Sequence, residues 1–328
     1  MLEHSHRDSF RQGGGGKILV CYHKRDKLFK NEVLVPIHCG RALACEASKD
    51  GKMSQEDYQW MLDNMIGDDT GDNISKLNRD VNEMTAIYWA WKNYDKLGNP
   101  DYIGLCHYRR FFDFSDILKI HSLKLLNLLG LNNKSLNKIF SKYETVFREG
   151  TRVFKLPHSF DGYQEIVNLS ETYHPILYKQ YQKFQKERIY YFNNMFIMKK
   201  EDFFEYCEEV FPLMFDFLAK PQEEVNAMFL DWVKENWTEE TYLTIKKETE
   251  NNNNIYPRIT GFMMEYISSF YFSHLNEKYK EKALGCPVIN PQMKFKFLSQ
   301  KMFSIRNSSD KIHKNIYLLG FKLEVKRK

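Results

Sequence analysis

Cysteine is scarce in this chain and falls into no metal-binding pattern. Cys21, Cys39, Cys45, Cys106, Cys207 and Cys286 are the only six, and no two form a C-x-x-C. That excludes the usual spacing of a structural zinc site and is too sparse for a disulfide scaffold, so a reducing, cytoplasmic setting fits best. Long apolar runs are missing as well. The best candidate, Val210 to Ala219, contains Asp216 and has about half of the ~20 residues a membrane-spanning helix needs. There is no G-x-G-x-x-G, no Walker loop, no G-x-S-x-G and no H-E-x-x-H, which sets aside the enzyme classes those motifs mark.

What is present is a chain of 328 residues with 43% hydrophobic and 28% charged residues. That balance supports a packed core under a solvated surface and excludes wholesale disorder. The length suits one large α/β domain or two small ones. Aromatic residues reach 15%, chiefly 25 Phe and 20 Tyr; most aromatic rings fill cores, and some offer flat faces to sugars or bases. The net charge is +5, but Lys294 to Lys328 holds ten Lys/Arg against two Asp/Glu, a local +8 that leaves −3 for the remainder. The basic character therefore belongs to the tail. It points to an anionic surface, such as phospholipid headgroups or a lipid diphosphate, or serves solubility alone. A nucleic-acid-binding module would spread its charge over the fold and carry a recognisable signature; neither is found.

Along the chain, residues 1–16 are polar and end in four glycines, as expected of a disordered leader or tag. Ile18 to Tyr22 and Val33 to Ile37 are short apolar runs that predict buried strands. Gly67 to Asn73 is a turn-rich loop. Asp80 and Glu83 have capping-box spacing ahead of Met84, Tyr88 and Trp91 at helical intervals. Tyr102 to Tyr108 predicts another buried strand, 115–145 an amphipathic helix pair, Tyr191 to Met198 a further strand and Glu201 to Leu218 a helix. The asparagine-rich 244–256 stretch predicts an exposed loop, Gly261 to His274 a helix, and Ile316 to Leu323 a terminal hairpin. Strands alternating with helices predict an α/β fold with a mostly parallel sheet, whose ligands bind beyond the carboxyl ends of the strands.

Five segments hold side chains fit for chemistry there. His107, Tyr108, Arg109 and Arg110 follow an apolar strand; guanidinium groups in that place can grip phosphate oxygens in pairs, or can pair with Asp113 or Asp116 on the surface. The loop GDDTGDNIS offers Asp69, Asp72 and Asn73 for a divalent cation or for ribose hydroxyls, while such loops are also common turns. Trp89 and Trp91 lie on different helix faces, one for the core and one for a ligand. Asn193 and Asn194 supply two amides ahead of a strand, able to read sugar hydroxyls or a uracil edge. Glu265, with Arg258 upstream, sits behind Gly261 in the first turns of a helix, as a general base or as an ordinary cap or ion pair.

Together these segments resemble a family of bacterial surface-polysaccharide glycosyltransferases long classed as a domain of unknown function. The resemblance runs from about residue 17 to 275 and is carried by KILVCYH (from Lys17), VPIHCGRALA (from Val35), GDDTGDNIS, NEMTAIYWAWKN, DYIGLCHYRRFF, YFNNMFIMKKEDFFEYCEEVFPLM and RITGFMME. It implies a GT-A-like, Rossmann-related nucleotide-sugar fold, expected over residues 17–290; the helical spacing adds an insertion near 115–150 and the charge a basic tail over 291–328. It implies a UDP-sugar donor, with UDP-galactofuranose transferred with inversion as the leading case. The acceptor would be a polysaccharide or undecaprenyl-diphosphate-linked intermediate, reached at the inner face of the plasma membrane through the basic tail. A non-catalytic glycan-binding subunit of an assembly complex is the alternative.

YFNNMFIM also looks like the asparagine-bearing strand of other GT-A enzymes. Where most of them carry an Asp-x-Asp metal motif, this chain has His107-Tyr108-Arg109-Arg110. Either the two arginines replace the metal as diphosphate clamp, or Mg²⁺ or Mn²⁺ is held by Asp69 and Asp72. Glu265 is followed by Tyr266 where the family often reads Glu-Arg. The expected site is thus Glu265, Arg109 and Arg110 for catalysis, and Tyr22, His23, Arg41, Asp69, Asp72, Asn73, Trp89, His107, Tyr108, Asn193, Asn194 and Arg258 around the donor.

Overall fold

The computed structural model describes residues 15–46, 52–114, 131–153, 169–236, 238–252, 259–290, 303–307, 313–318 and 321–326. The chain opens with β1 (Gly16–Tyr22) and β2 (Leu34–His38), then α1 (Gln55–Asn64), β3 (Ile66–Gly67), α2 (Asn78–Val81) and α3 (Met84–Lys92). Next come β4 (Tyr102–His107), β5 (Phe111–Phe112), α4 (Asn133–Phe140), β6 (Thr145–Arg148), β7 (Thr151–Arg152), α5 (Pro175–Glu187), β8 (Ile189–Tyr190) and β9 (Phe196–Lys199). The helices α6 (Lys200–Leu218), α7 (Gln222–Asn236), α8 (Glu239–Asn252) and α9 (Ile259–Tyr279) lead to β10 (Ala283–Cys286), β11 (Val288–Ile289), β12 (Phe303–Asn307), β13 (His313–Leu318) and β14 (Phe321–Lys326).

Seven strands form the central sheet in the order β10-β6-β9-β4-β1-β2-β3. β1 runs parallel to β2 and β4, β3 to β2, and β10 to β6, whereas β9 is antiparallel to both its neighbours. The carboxyl ends of the parallel strands therefore open on the same edge at which β9 begins. Alternation along β1 explains its two-sided burial. Leu19 and Cys21 join the core made with α3, α6 and α9. Ile18, Val20 and Tyr22 join a second core with Phe29, Met61 of α1 and Leu136 of α4. α1 is capped by Ser54, whose hydroxyl accepts from the Asp57 amide, and buries only Met61, so it covers the sheet as a solvated outer helix. α3 is apolar on most sides and buries six of its nine residues. No helix among the described residues is long and apolar enough to cross a membrane.

Three sequence expectations are corrected. The predicted Asp80–Glu83 capping box does not form: Asp80 lies inside α2, and Glu83 takes the cap position of α3 without a side-chain cap bond. The break between the two helices is made by Asn82 at φ 52°, and it sends Glu83 elsewhere. The strand expected from Tyr191 begins only at Phe196, because Asn193 (φ 74°) and Asn194 (φ 47°) form a left-handed turn, a conformation asparagine tolerates better than most residues. Most of the loop expected at 244–256 is α8, whose Glu239 and Glu240 sit favourably in its first turn. The expected terminal hairpin is present as β13 paired antiparallel with β14, and β12 adds a third antiparallel strand. Of the expected helix pair, α4 is present with an Asn132–Ser135 capping box; residues 115–130 lie outside the described set, as does Arg258.

Candidate active site

The rim begins where β1 ends. Tyr22 is buried; its hydroxyl donates to the Lys27 carbonyl (2.9 Å) and accepts from the Phe29 amide (3.0 Å), and its ring stacks on Tyr108. Burial pushes its phenol well above the usual range. His23 meets the same Tyr108 ring edge-on. At the end of β2, His38 is 1% exposed and its Nδ1 has no hydrogen-bond partner. Burial, and then the Arg41 charge, hold its proton affinity down at about 4, so it is a neutral imidazole.

The aspartate loop after β3 is bonded to its own surroundings. Asp68 is fully buried and accepts from the Gly40 and Arg41 amides (2.6 and 3.1 Å) and from the Ser75 and Thr85 hydroxyls (both 2.6 Å). Asp69 pairs with the Arg41 guanidinium at 2.6 Å through Nε. Gly67 makes room for that pair, since a Cβ there would lie 1.8 Å from Arg41 Cζ. Asp72 accepts from the Tyr88 hydroxyl (3.2 Å), and Asn73 donates to Gly71. Trp89 is 3% exposed and its indole nitrogen donates to the Thr70 carbonyl (2.8 Å), which pins the loop from below; Trp91 stacks on Phe211. Among the described residues no group of three His, Cys, Asp or Glu side chains gathers in a way that holds a metal ion. As arranged, Asp69 and Asp72 do not fit a cation site: they face a guanidinium and a phenol.

The two arginines after β4 separate. His107 and Arg110 close a tight turn through a backbone bridge. Arg109, half-exposed, turns to Asp26 (3.3 Å) and lies over Tyr108. Of the two aspartates considered from the sequence, Asp116 lies outside the described residues; Arg109 pairs with Asp26. Arg110 acts instead on Glu265 and on Arg148 at the end of β6.

The asparagine turn before β9 is where these elements meet. The Asn193 amide donates to Glu265 Oε1 at 2.5 Å, and its carbonyl accepts from His107 Nε2 at 2.9 Å. That bond places the imidazole proton on Nε2. The Asn193 side-chain oxygen accepts from the Arg148 guanidinium. Asn194, 2% exposed, donates through Nδ2 to Glu83 Oε1 at 2.9 Å, while its Oδ1 has no partner. Glu83 Oε1 also lies 4.0 Å from His107 Nε2.

Burial is the main cause that raises the Glu265 carboxyl to about 7; the Asn193 amide opposes it, Glu83 adds to it, and Arg110 and Arg148 oppose it. Burial likewise lowers the proton affinity of Arg148, with Arg110 adding to the effect. The turn thus gathers two carboxylates, two guanidinium groups, an imidazole and an unpaired amide oxygen. A half-desolvated carboxyl that titrates near neutrality beside two cations can take a proton from a hydroxyl while charge on a leaving phosphate is stabilised.

Of the residues expected from sequence, Glu265, Arg110, His107, Asn193 and Asn194 are brought together. Tyr22, His23, Arg41, Asp69 and Tyr108 line the β1–β3 part of the rim, with Arg109 beside Asp26. Glu83, Arg148 and His38 were missed. Glu83 was hidden by its capping-box spacing. Arg148 and His38 carried the same signal as His107, a polar residue closing an apolar strand.

The model of the family described as Domain of unknown function (DUF4422) matches residues 17–227, well over half of the chain. Among curated proteins none matches this sequence. Among solved structures, the apo structure of the WbbM bifunctional glycosyltransferase superposes with a TM-score of 0.60 at 20% identity, over 84% of this chain and 45% of that one. The chain spans less than half the length of that protein, and the likeness establishes a GT-A-like fold.

Proposed function

The chain belongs to the DUF4422 family, and from that premise we propose that it is a glycosyltransferase that moves a sugar from a UDP-activated donor to a glycan hydroxyl. One observation carries the reading. Glu265, raised to about 7, is held by Asn193 beside Arg110 and Arg148 at the carboxyl rim of a GT-A-like sheet. In its charged form Glu265 takes the acceptor's hydroxyl proton. The acceptor oxygen bonds to the anomeric carbon as the bond from that carbon to the phosphate oxygen breaks. The electron pair leaves on UDP, where Arg110 and Arg148 stabilise it. Direct displacement inverts the anomeric centre.

His23, Arg41 and Asp69 would hold the nucleoside end, with the buried Tyr22 and His38 beside them. The engagement of Asp69 with Arg41 and of Asp72 with Tyr88 favours guanidinium over metal neutralisation of the diphosphate. Activity that persists in excess EDTA and is not raised by Mg²⁺ or Mn²⁺ supports that reading; stimulation by either ion removes it. Galactofuranose remains the leading donor sugar, and a lipid-linked or growing surface polysaccharide the acceptor. The +8 tail would hold the protein at an anionic membrane surface. The test is a panel of UDP-sugars with UDP release as readout, alongside calorimetry with UDP. Release from one donor, together with UDP binding, supports transfer; glycan binding without affinity for UDP contradicts it.

A further inference from the structure

The helix break at Asn82 is built with care for a segment that caps nothing. The Asn82 carbonyl accepts from the Asn78 side-chain amide (2.6 Å) and from the Thr85 hydroxyl (3.2 Å), and that hydroxyl also reaches the buried Asp68 (2.6 Å). On its other side the break is met by α9. A Cβ on Gly261 would lie 2.2 Å from the Asn82 side chain, so only glycine lets α9 approach this closely. Glu265 stands one helical turn beyond Gly261 on the same helix. The break and the glycine thus bring Glu83 and Glu265 to the same place, where they grip adjacent residues of one turn: Glu265 the Asn193 amide, Glu83 the Asn194 side chain.

We infer that Glu83 is a positioning residue for Glu265, acting through the Asn193–Asn194 turn. The inference rests on the reading of Glu265 as the base. Glu83 fixes the turn, so the Asn193 amide meets the Glu265 carboxylate in one geometry. Its negative charge also disfavours a second charge on Glu265 and so makes Glu265 the stronger proton acceptor. The charged and titratable groups that face Glu265 are Glu83 from the helix break, Arg110 from the turn after β4, Arg148 from β6 and Tyr190 from β8, with His107 on the far side of the Asn193 peptide. The arginines oppose Glu83, and Tyr190 is neutral in the relevant range because burial holds its proton.

The test is carboxyl ¹³C NMR of the full chain labelled on glutamate, with the Glu265 resonance assigned by its loss in Glu265→Gln. Glu83→Gln keeps an oxygen for the Asn194 amide and removes the charge; the Glu265 midpoint should fall by about half a pH unit or more. Glu83→Ala removes charge and grip together. Its Glu265 midpoint should lie above that of Glu83→Gln, because the Asn193 amide that favours the charged form is no longer held in place. An unchanged midpoint in Glu83→Gln overturns the inference, and equal midpoints in the two variants remove the positioning role. If Glu83→Ala does not fold, the isosteric Glu83→Gln decides alone: an unchanged Glu265 midpoint in it overturns the inference. None of these outcomes depends on turnover, so absence of sugar transfer would count against the functional reading alone.

Discussion

Asp68 and Glu265 lie along the same rim and are built in opposite ways. Asp68 is fully buried, and two amides and two hydroxyls serve its oxygens. Glu265 has one short amide bond, a carboxylate near it that it would repel, and cations at longer range. Beside it the Asn194 Oδ1 has no partner at all. A buried polar group left under-served costs stability unless something else uses it. The contrast separates an acid that organises the backbone from one available for reaction, although both appear in the sequence as an acidic residue shortly after a glycine, Asp68 directly after Gly67 and Glu265 four residues after Gly261.

The contrast is sharpened first by removing each acid. Glu265→Gln should lower donor turnover by about 10³-fold, within the range for loss of a general base, with the fold intact by circular dichroism. Asp68→Ala should do the reverse. It leaves two amides and two hydroxyls without their acceptor and should cost about 3–5 kcal/mol in urea unfolding; a cost under 1 kcal/mol would break the comparison. Next come the arginines. Arg148→Ala should reduce turnover by about 10²-fold. Arg109→Ala, which loses a half-exposed pair with Asp26 and its place over the Tyr108 ring, should have a much smaller effect.

The smallest effect is on stability against pH. Glu265 binds its proton more tightly in the folded chain (about 7) than at its ordinary 4.5. Between those values the native state therefore holds more protons than the unfolded state, and stability falls as pH rises through the window. Glu265→Gln should lose that slope and gain about 2 kcal/mol relative to the parent at pH 8. A stability difference between the parent and Glu265→Gln that is the same at pH 5 and pH 8 in urea unfolding would show that Glu265 is not desolvated.

Strand and helix periodicity made much of this fold legible. β1, β2, β4, α3, α6 and α9 follow from apolar runs and helical spacing whose burial faces the structure reproduces. What periodicity does not carry is the direction of a side chain at a chain reversal. Arg109 and Arg110 are adjacent and alike in sequence, but the tight turn closed by His107 and Arg110 sends them to different partners. Glu83 fits a cap by spacing, and only the left-handed Asn82 before it redirects the side chain. The asparagines were legible as candidates; that both adopt positive φ, and so become the hub, depends on the Glu265, His107 and Arg148 contacts that close around them.

The most direct measurement is a crystal structure of the chain soaked with UDP. Diphosphate oxygens are expected within hydrogen-bond distance of the Arg110 and Arg148 guanidinium groups, with the Glu265 carboxylate facing the open side of the β-phosphate. A nucleotide bound away from the asparagine turn, with both guanidinium groups turned to solvent, would contradict it.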